Sequence, residues 1–136
     1  MQSRAHALVG AVVSSLLLVP QIGSLSLPAA VGLLCYGVAL SVLFDLDHFL
    51  VARLLVGDWR HLRRVLAQPR RVLFGDQSWI FADLQDFPLE RLLSHALLGG
   101  WLVASLALVD RWLAVFTAVV LYAHVLADLL HDNELV

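Results

Sequence analysis

His6, Asp45, Asp47, His48, His95, His124 and Asp128 are the residues of this 136-residue sequence whose types and spacing carry chemistry. Imidazole nitrogen combined with carboxylate oxygen suits zinc first, with manganese or iron as alternatives, and suits calcium poorly. His124 and Asp128 stand four apart and share one side of a helix. In the run Asp45-Leu46-Asp47-His48, helical geometry keeps Asp45 and His48 together and turns Asp47 away by about 160°. Asp47 then ligates from another direction or orients a ligating histidine by hydrogen bonding. The candidates outnumber one tetrahedral set, so the expected cofactor is one or two divalent ions. His61, His131 and Asp132 have polar neighbours and read as solvated surface groups.

These residues need elements to position them. The chain is 60% hydrophobic and 15% charged, with a mean hydropathy of +0.83. A soluble domain of this size carries about 25% charged residues, so a bilayer is the expected solvent for much of the surface. A net charge of −2 argues against a nucleic-acid partner. The single cysteine, Cys35, lies in an apolar run, forms no intramolecular disulfide and is expected to pack as a small buried hydrophobe. The length fits one domain over residues 1–136. No small-residue cleavage site follows the first apolar run, so that run is expected to remain as a helix.

Four apolar stretches read as helices: Ala7 to Val19, Pro28 to Phe44, Leu92 to Val109 and Trp112 to Leu130. The first is short for a membrane crossing. Pro20 to Ser24 forms a turn, and Asp110-Arg111 forms another. The connection from Phe49 to Arg91 is long, arginine-rich and interleaved with aromatics. Within it, Asp58 is expected to cap a short helix that Pro69 ends. Leu54, Leu55, Trp59, Leu62 and Leu66 would give that segment an apolar side lying on the membrane or the bundle. The expected fold is therefore all-α: a four-helix transmembrane bundle with a long, partly amphipathic loop between its second and third helices.

Counting crossings puts both termini and the long loop on one side, together with eight of the nine arginines; only Arg111 falls opposite. The positive-inside rule makes the arginine-rich side cytoplasmic. His6, the Asp45–His48 cluster, His95, and His124 with Asp128 all reach that same face. Ionisable groups at membrane depth are costly, so their convergence points to a shared metal site. Arg63, Arg64, Arg70 and Arg71 are expected to meet lipid phosphates.

The strings "SRAHALVGA", "FDLDHFL", "ERLLSHALL" and "LYAHVLADLL" together resemble the YdjM-type membrane-bound metal-dependent hydrolases. That family has an early histidine, a D-x-D-H after the second apolar segment, an H-R-x-x-[ST]-H-S element and a late H-x-x-x-D. The resemblance spans essentially the whole chain. It implies an inner membrane of a prokaryote, and His6, Asp45, Asp47, His48, His95, His124 and Asp128 as ligands or catalytic groups. Three departures stand out, one of them Ala96 after His95 where the family element has serine. Glu90-Arg91 replaces the family's His-Arg, which makes Glu90 the expected oxygen ligand there. Phe44 replaces the proline usual before D-x-D-H. The implied activity is metal-assisted hydrolysis of a phosphoester or lipid-derived substrate, with Asp47 or Asp45 as general base and Arg91 neutralising an anionic substrate. The alternative expectation is a non-catalytic metal-binding scaffold whose ligands hold the helix ends together. Oligomer formation is left open.

Overall fold

Ser3 to Leu18 forms the first helix, α1, and the chain then tightens into a 3-10 turn at Val19–Gln21, where Pro20 cannot continue the ladder. The computed structural model describes residues 3–74, 78–84 and 88–133. Its further helices are α2 (Leu27–Leu43), α3 (Asp47–Val56), α4 (Arg60–Ala67), α5 (Pro69–Phe74), α6 (Pro88–Ala107) and α7 (Arg111–Asp132), with no strand among the described residues. Pro28 falls in the first turn of α2, where a missing N–H is harmless. Asp110 caps α7 by accepting a 3.0 Å hydrogen bond from the Leu113 N–H.

Three helical stretches are long and apolar enough to cross a membrane: Ser3–Gln21, Leu27–Val56 and Arg111–Asp132. The first is therefore longer than the expected Ala7–Val19 segment. The third apolar stretch forms α6, but the Glu90-Arg91 and Ser94-His95 pairs in its first turns keep it out of that group. The second stretch corrects the expected loop. The chain does not leave the helix near Phe49. A 3-10 turn at Phe44–Leu46 joins α2 to α3, giving one helical stretch of 30 residues from Leu27 to Val56. Gly57 ends it with φ 88°, a left-handed conformation that favours glycine.

The segment after Gly57 is likewise more structured than a loop. Asp58 accepts a 2.9 Å hydrogen bond from the Arg60 N–H at the start of α4. Pro69 follows the end of α4 and opens α5. Leu54 and Leu55 stand on α3 while Leu62 and Leu66 stand on α4, so the single amphipathic face expected of them is split between two helices. Arg53 lies over the Trp59 ring and Arg71 over the Trp79 ring. His61 is not a solvated surface group: it is 1% exposed, and its Nε2 lies 3.1 Å from Asp83 Oδ1. Arg64 grips the same carboxylate with both guanidinium nitrogens, at 2.6 and 3.2 Å. The hydrogen bonds from Arg64, and then that from His61, hold the Asp83 carboxyl well below the usual carboxylate range.

A pH dependence follows from that depression. A carboxyl held lower in the folded chain than in the unfolded one stabilises at neutral pH, and its contribution fades as pH falls through the folded value. Protection of the α4 amides is expected to hold through mildly acidic pH, to begin falling near the ordinary aspartate pKa of about 3.9 and to be lost progressively toward the lower folded value. In Asp83→Asn the same amides exchange several-fold faster already at neutral pH; equal exchange rates in the two proteins at neutral pH would refute the coupling.

The distribution of burial is inverted relative to a water-soluble protein. Among the described residues ten buried side chains are polar or charged and seven are apolar, while Leu8, Leu16, Leu97, Trp101, Leu108 and Val109 are each well over half exposed. A bilayer accepts an apolar exterior and forces polar groups inward to find partners. Cys35 follows this pattern and is exposed, contrary to the expected buried thiol. Small residues carry the closest helix contacts. Gly10, Ser14, Gly37 and Ser41 are all buried between α1 and α2. Tyr36 on α2 reaches Thr117 on α7 through a 2.8 Å hydroxyl–hydroxyl bond, beside the fully buried Phe116. Gly99 lets α6 approach Leu121 and Phe44.

Candidate metal centre

The buried stripe of α1 reads His6, Gly10, Ser14. That of α2 reads Gly37 and Ser41, and one further turn along stands the partly buried Asp45 at the 3-10 joint. Each stripe advances by four residues, so the close small-residue seam delivers one imidazole and one carboxylate to the same end of the helix pair. α7 adds His124 and Asp128 from its own buried side, and α6 adds His95.

The donor atoms meet closely. His6 Nε2 lies 3.3 Å from Asp45 Oδ2 and 3.1 Å from Asp128 Oδ1. His124 Nε2 lies 3.3 Å from Asp45 Oδ1 and 3.7 Å from Asp128 Oδ2. His95 Nε2 lies 3.2 Å from His124 Nε2 and 3.5 Å from Asp45 Oδ1. His48 Nε2 is 3.6 Å from Asp45 Oδ1. The rings of His6 and His124 stack with centroids 4.1 Å apart. His6 and His124 are both 0% exposed.

Distance is not matched by hydrogen bonding. Among the described residues, both ring nitrogens of His6, Asp45 Oδ1 and Asp47 Oδ1 are buried with no hydrogen-bond partner. Buried polar atoms left unpaired cost about 1–3 kcal/mol each, so short contacts that miss hydrogen-bond alignment require another explanation. Coordination supplies one. Ligand atoms held 2.0–2.1 Å from one ion at tetrahedral angles stand about 3.4 Å from one another, which matches the spacings here. His6, Asp45, His124 and Asp128 form one group whose donor atoms all lie within 4.8 Å of each other, and Asp45, His48 and His95 form a second. The nitrogen-and-carboxylate donor set fits a divalent transition ion.

Asp47 plays a different part. Turned away from Asp45 along that helical stretch, it meets α6: its Oδ2 accepts from His95 Nδ1 at 2.7 Å and from the Ser94 hydroxyl. A proton held on Nδ1 leaves the Nε2 lone pair of His95 directed at Asp45 and His124, as an orienting carboxylate does for a metal-binding imidazole.

Comparison with known proteins gave no match: no family model, curated protein or solved structure is significantly similar to this chain. Its chemistry has to be read from the centre itself.

Arg91, one turn before His95, donates from Nε to His48 Nε2 at 3.2 Å. Its terminal nitrogens reach Asp128 and Asp132, each at 3.6 Å. Asp132, expected as a solvated group, therefore belongs to the rim of the centre. Glu90 does not. It is exposed on α6 and, five residues before His95, points about 140° away from it around the helix; the expected oxygen ligand at this element is absent from both donor groups. A cleft of about 180 Å³ opens beside the centre, lined by Arg91, Leu92, His95, Asp128 and Asp132 among others.

Proposed function

We propose that the chain is a membrane-embedded, metal-dependent hydrolase of the YdjM type, with its centre at the cytoplasmic face of an inner membrane. In this reading α6 crosses the bilayer as the fourth helix, and the arginines of α4 and α5 lie on the cytoplasmic headgroup layer. The observation that carries the metal reading is the set of buried His6 and Asp45 atoms without hydrogen bonds, placed among further imidazoles at ligand spacing. Support for hydrolysis comes from the family-like motifs and from the cleft that reaches the centre past Arg91.

A divalent ion held by His6, Asp45, His124 and Asp128, or by Asp45, His48 and His95, would supply Lewis acidity toward a water and a phosphoryl or carbonyl oxygen. The chain's own groups do the rest. Asp47 fixes the tautomer and direction of His95, and its second oxygen, Oδ1, takes the proton from the attacking water. Arg91 turns its guanidinium from Asp132 toward the substrate's anionic group. The apolar Leu92, Val125 and Leu129 walls of the cleft favour a phosphoester carrying a hydrocarbon tail over a fully hydrated one.

The test is turnover of tailed and untailed phosphoesters and carboxylic esters by purified, zinc- or manganese-loaded protein. Metal-dependent hydrolysis that prefers a tailed phosphoester is expected. Asp47→Asn should lower kcat and also weaken metal affinity by about 10–100-fold, the usual cost of losing an orienting partner. Metal-replete protein that turns over none of these substrates would leave the scaffold role and remove the enzyme.

A further inference from the structure

The two donor groups share one residue, Asp45, and its two oxygens face different partners. Oδ2 stands 3.3 Å from His6 Nε2. Oδ1 stands 3.3, 3.5 and 3.6 Å from Nε2 of His124, His95 and His48. That oxygen is buried among three imidazoles, yet accepts no hydrogen bond among the described residues. A carboxylate in this position has the form of a bridge between two cations, which in paired sites stand about 3.5–4 Å apart.

The two halves also differ in closure. His6, Asp45, His124 and Asp128 supply four protein donors, the number that completes a tetrahedral structural site. Burial does not separate the halves, since His6 and His124 are wholly buried and Asp128, His95 and His48 are 7%, 5% and 8% exposed; the number of protein donors does. The other group supplies three donors, from Asp45, His48 and His95. Three protein ligands and a vacant direction describe a catalytic site. On that side lies Arg91, whose Nε–H occupies the His48 Nε2 lone pair. A ring nitrogen has one lone pair, so Arg91 and an ion compete for it.

We infer that the centre is dinuclear: Asp45 bridges a closed ion held by His6, His124 and Asp128 to an open ion held by His48 and His95, with Arg91 displaced from His48 when the second ion binds. This rests on the metal reading above and assigns the two sets of ligands different tasks. The closed ion would fasten α1, the α2–α3 joint and α7 at one end; the cleft reaches one ligand of each set, His95 and Asp128.

Metal content per chain after dialysis against manganese or zinc decides it. The intact protein should hold two ions, His6→Ala one, His48→Ala one, and Asp45→Ala none. Arg91→Gln should bind the second ion several-fold more tightly, because a competing cation has gone. Manganese-loaded intact protein should show an exchange-coupled pair by electron paramagnetic resonance, a measurement that needs no variant to fold. One ion per chain at saturation, or two uncoupled manganese signals, would overturn the inference. Two coupled ions without ester hydrolysis would sink the enzyme reading and leave the pair standing; hydrolysis with one ion would do the reverse.

Discussion

Detergent-solubilised protein stripped with a chelator is expected to unfold at a lower temperature than the same protein supplied with zinc or manganese. The candidate donors come from α1, the α2–α3 joint, α3, α6 and α7, so metal bound only by the folded chain would tie these parts of the molecule together. Binding to the folded state alone stabilises by RT ln(1 + [L]/Kd), about 4 kcal/mol when free ion exceeds the dissociation constant a thousandfold. The gain should vanish in Asp45→Ala, which removes the residue common to both donor groups. Magnesium should give little of it, because a hard ion takes oxygen ligands and keeps its waters. Superimposable melting curves with and without transition metal would dispose of the centre.

The second large effect is expected far from the imidazoles. A Cβ on Gly10 would lie 2.7 Å from Ser41 Cβ, 2.9 Å from the Gly37 carbonyl oxygen and 3.2 Å from Val38 Cα. Two of these three are backbone atoms, which cannot rotate out of the way. Gly10→Val must therefore push α1 off α2, at a cost of about 1–3 kcal/mol for overpacking. His6 stands one turn from Gly10 on the same buried stripe, so the shift also removes a donor from the centre. Lower metal content and a lower unfolding temperature should appear together. Gly32→Ala is the control, since nothing lies within 4 Å of its added Cβ, and it should keep both. A Gly10→Val protein with full metal content and unchanged melting would show that the seam does not set the site.

Much of this arrangement was legible before any coordinates. Helical spacing joined His124 to Asp128, and counting apolar segments brought His6, Asp45, His48 and His95 toward the same end. The small-residue ladders were also present in the sequence as His6-x3-Gly10-x3-Ser14 and Gly37-x3-Ser41-x3-Asp45. They are a signal for close helix contact in lipid, but they disappear when glycine and serine are counted merely as part of an apolar run. Other features depended on tertiary contact. Asp47 is assigned to His95 by where α6 packs, and Asp83 becomes the partner of His61 only when the chain after α5 returns to α4. Glu90 was misplaced because a motif gap suggested a replacement ligand where helical phase does not point inward. The end of the second helix was set too early because the apolar run stops at Phe44, whereas partners from α1, α6 and α7 let the helical stretch continue through Asp45, Asp47 and His48.

That helical stretch has a further consequence. Thirty residues from Leu27 to Val56 extend about 45 Å at 1.5 Å per residue, whereas the hydrocarbon of a bilayer is about 30 Å thick. Laid straight and upright across a bilayer, roughly a third of that length would overhang the oily layer. Asp45 lies eighteen residues beyond Leu27, or about 27 Å along the axis. With Leu27 at one margin of the oil, the carboxylate arrives at the other, where hydration begins. In that placement cations would reach the carboxylate without shedding all their water in advance, and acyl chains would reach it without leaving their leaflet.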